Sequence, residues 1–188
     1  LRCNLCGEIF TADTPEGVGG EKYDAPSGAV IAVLKYGTGM PFNRLENLQK
    51  NLGVPLPAST QFEIVEQIAD TVEPVLTELI RTAAQGNVVH NDDTTMKVLE
   101  LMREKNPPRK GMFTTGVLST TADHDIALFF TGRNHAGENL EDLLQKRADR
   151  SPPIQMCDAL ARNIPKNFKT LLANCLVHGR RGFVDVMD

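Results

Sequence analysis

Two short segments of this chain each carry an aspartate at or near the end of an apolar run that favours a β-strand. The first is VVHNDDTT, residues 88–95, which contains Asp92, and the second is PIQMCD, residues 153–158, which ends at Asp158. Strands that deliver carboxylates to one edge of a sheet hold divalent metal ions in many phosphoryl-transfer enzymes. If the two runs are neighbouring strands, Asp92 and Asp158 could bind the same cation.

Each aspartate also has an ordinary structural interpretation. Asn, Asp and Thr favour turns because their short side chains bond to nearby backbone groups, so residues 91–94 can form a solvated turn. An aspartate after an apolar run is often a helix N-cap or a loop residue, which applies to Asp158. The metal-site hypothesis therefore depends on whether the fold places the two strands side by side.

The sequence before these segments has a helical pattern. Residues 27–86 contain three predicted helices, and the third carries apolar side chains at three- to four-residue intervals. Thr60 and Glu63 have the spacing of a capping box at its start, and Pro74 should kink it. The three helices could form a helix-turn-helix whose third helix contacts DNA. Plain helical packing is the alternative that we favour, because the third helix begins with acidic residues and no Lys or Arg.

The sequence after Gly86 alternates between strands and helices. Predicted strands cover residues 88–99, 112–120, 125–130 and 154–157, a fifth could begin at 176–178, and predicted helices cover 139–146 and 168–173. This is the element order of a ribonuclease-H-like sheet, with three antiparallel strands followed by a crossover helix and a parallel fourth strand. We therefore predict an α/β fold in which the strands that carry Asp92 and Asp158 are neighbours.

The pattern divides the chain into three predicted regions. Residues 1–26 form a loop-rich unit with half of a zinc ribbon, and residues 27–86 form the helical region. Residues 87–188 form the ribonuclease-H-like core, incomplete at its C-terminus. Because the chain starts with Leu1 rather than Met, we interpret it as a piece of a longer product.

The first region contains a cysteine pair with metal-ligand spacing. Cys3-Asn4-Leu5-Cys6-Gly7 has the form of a zinc-ribbon knuckle, but a structural zinc ion needs four ligands and no second Cys/His pair lies nearby. Either the partner pair lies upstream, or these are ordinary surface cysteines. Cys157 and Cys175 stand in apolar settings where buried thiols are the default. Four cysteines spaced in this way do not form a secreted disulfide framework, so we expect a reducing cytoplasm.

The charge of the chain is unevenly distributed. The formal net charge of −4 argues mildly against a general nucleic-acid binder. Residues 1–100 carry 7 Lys/Arg against 14 Asp/Glu, whereas residues 101–188 carry 13 against 10. In this second half, His178, Arg180 and Arg181 combine a titratable ring with two guanidinium groups that suit phosphate contacts; a basic surface loop is the alternative. No apolar stretch is long enough to span a membrane, and no secretory signal is visible.

Taken together, these motifs resemble those of the bacterial insertion-sequence transposases of the sixty-six family. The resemblance runs from about Ser27 to the end and extends to the Cys3/Cys6 knuckle. The family's His-Ala-Asp-Glu-Thr, Asp-Gly-Tyr and Cys-Trp-Ala-His-x-Arg-Arg segments are matched here by HNDDT at 90–94, DAL at 158–160 and CLVHGRR at 175–181. LKY at 34–36 and residues 53–60 are similar to the region that precedes the family's catalytic domain.

The resemblance implies a DDE-type transposase in which two Asp and one Glu hold two Mg²⁺ (or Mn²⁺) ions on a ribonuclease-H-like core. Asp92 would be the first carboxylate, bridging both ions, and Asp158 the second; the Glu would lie beyond Asp188. One ion would activate water or a DNA 3′-hydroxyl, and the other would stabilise the leaving oxygen. Arg180 and Arg181 would contact DNA. The implied partners are transposon ends and target DNA, with no membrane, and the full-length protein could bind Zn²⁺ and form a homo-oligomer.

Several positions depart from the family's motifs. Asp93 replaces Glu, Ala159 and Leu160 replace Gly-Tyr, and Leu176 replaces Trp, which fits either a divergent branch or a decaying copy. Two other hypotheses remain open: a different metal-dependent nuclease on the same fold, and a non-catalytic module that binds DNA or a protein partner. Without the third carboxylate, we expect this chain alone to be inactive.

Overall fold

The computed structural model describes residues 1–13, 15–17, 19–20, 22–158, 160–184 and 186. They divide into two compact units, Leu1–Glu73 and Pro74–Asp188. None of the helices in these described stretches combines the length and the apolar character that crossing a bilayer requires. The predicted three-region division of the chain stays a prediction.

The first unit is helical after its N-terminal turn. Its helices are α1 (Ala25–Ala32), which continues as a π-helical segment (Val33–Gly37), α2 (Phe42–Asn51) and the beginning of α3 (Ala58–Ala83). The Asp24 carboxylate caps α1 by accepting the backbone N–H of Ser27 at 3.0 Å. The small core of this unit consists of buried and partly buried side chains from these helices and the segments beside them: Ile31, Ile64, Val65, Tyr23, Phe42, Leu56 and Ile68.

Helix α3 begins at Ala58, so Thr60 and Glu63 lie within the helix and the capping box predicted at its start is wrong. The backbone N–H of Ala58 donates to the Glu46 carboxylate at 3.1 Å. The helix runs through Pro74, which the pattern placed inside it, and the two units divide at this proline.

The second unit contains a mixed five-stranded sheet. Its elements are β1 (Val88–Thr95), the short α4 (Leu99–Met102), β2 (Phe113–Thr120), β3 (Asp125–Gly132), α5 (Ala136–Leu144), β4 (Ile154–Cys157), β5 (Leu171–Asn174) and α6 (Leu176–Val184). The strand order is β3-β2-β1-β4-β5. Strands β1, β2 and β3 pair in antiparallel fashion, and β4 pairs in parallel with both β1 and β5. This arrangement is compatible with the predicted ribonuclease-H-like core.

Two predictions for the end of the chain are wrong. The predicted helix at 168–173 is replaced by β5, and the predicted strand at 176–178 is the first turn of α6. The Leu-Leu-Ala sequence favours a helix locally, but pairing with β4 overrides that preference; the Leu171 N–H, for example, donates to the Pro153 carbonyl at 2.9 Å. Gly179 lies within α6 and weakens its helical signal.

One face of the sheet packs against α5 and the end of α3. The main core contains Ala83, Ala84, Val89, Val117, Ile126, Leu128, Leu140, Leu143 and Leu144. Alternate residues of β2 are buried, as expected for a strand with one covered face. Arg147 fixes the entry to β1, because its guanidinium group donates to the carbonyls of Ala84 and Gly86 at 2.9 and 2.7 Å.

The N-terminus of α5 is held by a charged pair. The Glu138 carboxylate accepts the backbone N–H of His135 at 3.0 Å, and Arg109 donates to it through two guanidinium nitrogens. Arg109 contributes most to lowering the pKa of Glu138 to about 2, and the His135 N–H adds to the effect. The carboxylate therefore stabilises the folded chain as an anion.

Replacement of the Glu138 carboxylate should make the free energy of unfolding depend less on pH. At pH 7 we expect Glu138→Gln to lower the free energy of unfolding by about 1 kcal/mol, after allowance for solvent screening. Because the folded pKa lies below the ordinary value of 4.5, the difference from the parent should be complete above that pH and shrink as pH falls towards about 2. Urea unfolding from pH 7 to pH 3.5 measures this. Glu100→Gln, an exposed control, should have no effect, and a pH-independent difference for Glu138→Gln would contradict the assignment.

A glycine lets α5 approach the loop that follows β4. A Cβ atom at Gly137 would lie 2.5 Å from the Ile164 carbonyl oxygen and 2.7 Å from that of Arg162, both of them backbone atoms. We expect Gly137→Ala to destabilise the protein by about 2 kcal/mol, because this loop cannot move without losing its bonds to the sheet. The control Gly132→Ala has open space around its added methyl group and should change the melting temperature little. Equal effects of the two substitutions would show that the close approach is not required.

Candidate functional site

The pairing of β1 with β4 brings the segments that carry Asp92 and Asp158 side by side. The parallel register pairs Val88 with Ile154, Val89 with Gln155 and His90 with Met156. Asp92 lies two residues beyond His90 on β1, and Asp158 lies two residues beyond Met156, directly after the end of β4. Neighbouring strands lie about 4.8 Å apart, so this register brings the two aspartates to the same end of the β1–β4 pair.

The two aspartates line one cleft with a volume of about 290 Å³. Its lining residues come from β1, β2, β3, β4 and the start of α6: His90, Asn91, Asp92, Gly116, Val117, Leu118, Ala127, Phe129, Met156, Cys157, Asp158, Cys175 and His178. Gly116, on β2, is the cross-strand partner of Asp92 on β1. Because glycine has no side chain, it leaves room beside the carboxylate. The Phe129 ring is 75% exposed and borders this space, 3.7 Å from where a Cβ atom of Gly116 would lie.

The hydrogen bonds of each carboxylate leave one oxygen for a ligand. Asp92 Oδ1 accepts the backbone N–H of Asp93 at 2.8 Å. Asp158 Oδ1 accepts the backbone N–H of Leu160 at 3.1 Å and the side-chain amide of Asn163. Within the described part of the chain, no donor contacts Oδ2 of either aspartate. Carboxylate oxygens are the hard ligands that Mg²⁺ and Mn²⁺ prefer, so this pair fits a divalent cation.

The charges of both aspartates act on the buried thiol of Cys157. Cys157 is 3% exposed, and burial raises the pKa of its thiol. The negative charges of Asp158 and Asp92 raise that pKa further. Cys157 is therefore a buried structural thiol, as predicted, and it lies in the field of both carboxylates.

Asp93 belongs to the opposite face of β1. Its side chain is 1% exposed, accepts the Thr115 hydroxyl at 2.7 Å and lies 3.1 Å from His135 Nδ1. Thr115 in turn accepts the Asn139 amide at 2.7 Å. These bonds tie β1 to β2 and α5, so Asp93 supports the fold and does not face the cleft. The polar surroundings of His135 in the sequence gave no sign of this contact.

The segment at 178–181 divides between the cleft and the exposed surface. His178 lines the cleft, and its Nδ1 is buried. A hydrogen bond from the His178 side chain contributes most to lowering the pKa of the Cys175 thiol, and the backbone N–H groups of His178 and Val177 lower it further. Arg180 and Arg181 lie on the same helix, α6, as exposed residues outside the cleft lining. Ala159, the middle residue of the predicted Asp158 motif, lies outside the described residues.

Cys3 and Cys6 form a tight turn in the first unit, and both thiols are free. The Gly7 N–H donates to the Cys3 carbonyl at 2.9 Å, and Gly7 has a φ of 76°, a conformation that glycine adopts without strain. The backbone N–H groups of Cys6 and Leu5 lower the pKa of the Cys3 thiol. This turn suits a thiolate ligand. No set of three or more His, Cys, Asp or Glu side chains among the described residues is arranged to hold a metal ion, so the zinc site stays a prediction.

Adjacent aspartates should differ in their effect on stability. We expect Asp93→Ala to lower the free energy of unfolding by about 2 kcal/mol, because Thr115 and His135 lose their buried partner. The matched control Asp92→Ala removes an exposed side chain and should change that free energy by less than about 0.5 kcal/mol. Chemical denaturation of the two variants checks this, and a larger loss for Asp92→Ala would contradict the division of β1 into a supporting face and a cleft face.

Comparison with known proteins assigns the chain to a family. A search of curated proteins gave no match. The model of a transposase family, described as "Transposase IS66 family", matches residues 23–188, which include both aspartates and the whole sheet but not the Cys3/Cys6 turn. The resemblance carried by the HNDDT, DAL and CLVHGRR segments is thereby confirmed. The chain belongs to the IS66 family of transposases.

Proposed function

We propose that this chain carries part of the catalytic centre for Mg²⁺-dependent DNA strand cleavage and strand transfer. The observation that supports this proposal is that Asp92, on β1, and Asp158, directly after the parallel strand β4, line one cleft. Membership of a transposase family supports a role in transposition, which proceeds by such a reaction. A different nuclease of the same fold, or a non-catalytic module, has no specific observation in its favour.

Asp92 and Asp158 are the residues that would hold the cation, each through the Oδ2 oxygen that its intramolecular hydrogen bonds leave available. When bound, a divalent cation supplies charge stabilisation for the attacking and leaving oxygens of a phosphoryl transfer. Residues next to the two carboxylates hold them in position. The bonds from Asp93, Leu160 and Asn163 fix the carboxylates before any ligand arrives, which avoids reorganisation during the reaction.

The open side of the cleft is where we expect DNA to bind. His178 lines the same cleft as the two carboxylates, so we expect its imidazole to contact a phosphate or a sugar hydroxyl near the cation. Arg180 and Arg181 follow on the exposed surface of α6, where guanidinium groups can bind the phosphates beyond the scissile bond. These contacts would orient the strand without reading its sequence.

Two members of the proposed machinery are not found among the described residues. DDE chemistry needs a third carboxylate, and the described residues contain no group of three or more His, Cys, Asp or Glu side chains that could hold a metal ion. We therefore propose that these 188 residues bind a cation weakly and do not transfer strands by themselves. The same reasoning applies to Cys3 and Cys6, which we propose as half of a zinc site.

Cation binding by the chain provides the direct test. Titration with Mn²⁺, followed by the electron paramagnetic resonance signal of the free ion, should give a dissociation constant at least about 10-fold weaker for Asp92→Asn and for Asp158→Asn than for the parent. Asp123→Asn removes an exposed aspartate in the turn between β2 and β3 and should leave the constant unchanged. Mg²⁺ should compete with Mn²⁺. Unchanged Mn²⁺ affinity in either cleft variant would overturn the metal assignment.

Strand joining separates the proposed reaction from the alternatives. In a longer polypeptide that also supplies the third carboxylate, labelled DNA ends should be joined to target DNA by the parent and by Asp123→Asn, but not by Asp92→Asn or Asp158→Asn. Cleavage without joining would identify a nuclease. If the parent neither cleaves nor joins DNA and does not bind Mn²⁺, the protein is a non-catalytic module.

A further inference from the structure

Three buried amide side chains lie beneath the two carboxylates. Asn91, Gln155 and Asn163 are 3%, 0% and 1% exposed, and we call them the amide layer. Asn91 precedes Asp92 on β1, Gln155 lies on β4, and Asn163 ends a 3-10 turn, Ala161–Asn163, in the loop after β4. Because buried amides cost free energy unless they are hydrogen-bonded, their partners show what they hold in place.

The backbone of Asn163 anchors the loop to the sheet. Its carbonyl oxygen accepts the amide of Asn91 and the amide of Gln155, each at 2.8 Å. Gln155 also donates to Asn91 Oδ1 at 2.8 Å and accepts the Thr170 hydroxyl at 2.7 Å. The loop that carries Asp158 is thus tied to β1 and β4 through a backbone carbonyl group. A substitution of Asn163 would keep this group, because every residue type has it.

The side chain of Asn163 has a different partner. Its Nδ2 donates to Asp158 Oδ1, the oxygen that also accepts the Leu160 N–H. Its own Oδ1 is buried and has no hydrogen-bonding partner among the described residues. An unsatisfied buried acceptor destabilises a fold, so an apolar side chain of similar size would serve packing better. The amide is best explained by what its nitrogen does to Asp158.

Helix α5 keeps this loop from moving away. Gly137 allows the helix to touch the backbone at 162 and 164, and the Glu141 carboxylate accepts the backbone N–H groups of Lys166 and Asn167 at 2.8 and 3.0 Å. Asn163 therefore approaches Asp158 from a loop that is fixed on both sides.

We infer that Asn163 is a positioning residue for Asp158: it holds Oδ1 with its amide so that Oδ2 is presented to a divalent cation in the cleft. This inference rests on the proposed function, in which Asp158 is a metal ligand. A donor that occupies one carboxylate oxygen restricts the rotation of the group and leaves the other oxygen in a fixed place. An amide suits this task because it donates at any pH and adds no charge that would compete with the cation.

The test compares Mn²⁺ affinity with stability. Asn163→Leu removes the donor and the unsatisfied acceptor, while the backbone carbonyl keeps its bonds to Asn91 and Gln155. We expect the Mn²⁺ dissociation constant to rise about 10-fold, with a melting temperature in the absence of metal that is equal to that of the parent or higher. Asn167→Leu, in the same loop but bonded to Glu141, should leave Mn²⁺ affinity unchanged. Asn163→Ala provides a smaller second variant with the same expected loss of affinity.

The double variant shows whether Asn163 acts through Asp158. Asn163→Leu should weaken Mn²⁺ binding no further when Asp158→Asn is already present. Parent-like Mn²⁺ affinity in Asn163→Leu, while Asp158→Asn loses it, would overturn this inference alone. Parent-like affinity in Asp158→Asn would instead overturn the proposed function. If both Asn163 variants fail to fold, the residue is structural and the inference is wrong.

Discussion

The parallel pairing of β1 with β4 is the constraint on which the candidate site depends. It holds Asp92 in one cleft with Asp158 although their negative charges repel each other. Solvent at the exposed Asp92 weakens that repulsion. The short ladder between the strands is reinforced by the buried bonds of Gln155 to Asn91 and to the Asn163 carbonyl, each contributing about 1 kcal/mol. The pairing can therefore sustain the repulsion, and a cation bound between the carboxylates would relieve it.

Because successive side chains of a β-strand point to opposite faces, neighbouring residues of β1 either hold the fold together or reach the cleft. On β1, the Asn91 and Asp93 side chains bond to the β4 loop and to β2 and α5, whereas the Asp92 side chain is exposed at the cleft. A shift of one residue would exchange these sides and bury the wrong carboxylate. The two aspartates of the HNDDT segment, Asp92 and Asp93, thus have different surroundings. The replacement of the family's Glu by Asp93 falls on the residue that bonds to β2 and α5.

The sequence predicts those parts of this arrangement that have a local signal. The alternating runs at β1 and β2 and the apolar run of β4 predicted these strands and the pairing of β1 with β4, because pattern and turn chemistry there agree with the fold. The β5 strand was missed because its hydrogen bonds to β4, and not its own residues, make it a strand. Asn163 and His135 gave no signal either, since their partners, Asp158 and Asp93, are set by how loops and helix α5 pack onto the sheet.

Helix α5 supports both carboxylate strands from one side. At its N-terminus His135 contacts Asp93 next to Asp92, while Gly137 and Glu141 hold the loop whose Asn163 bonds to Asp158. A single rigid helix therefore fixes the backbone on either side of the two carboxylates, which is how a binding site keeps its geometry within a fraction of an ångström. The opposite face of the sheet, with Gly116 and the exposed Phe129, carries none of these supports. The contacts that α5 makes with β1 and with the loop after β4 therefore leave that face of the sheet open.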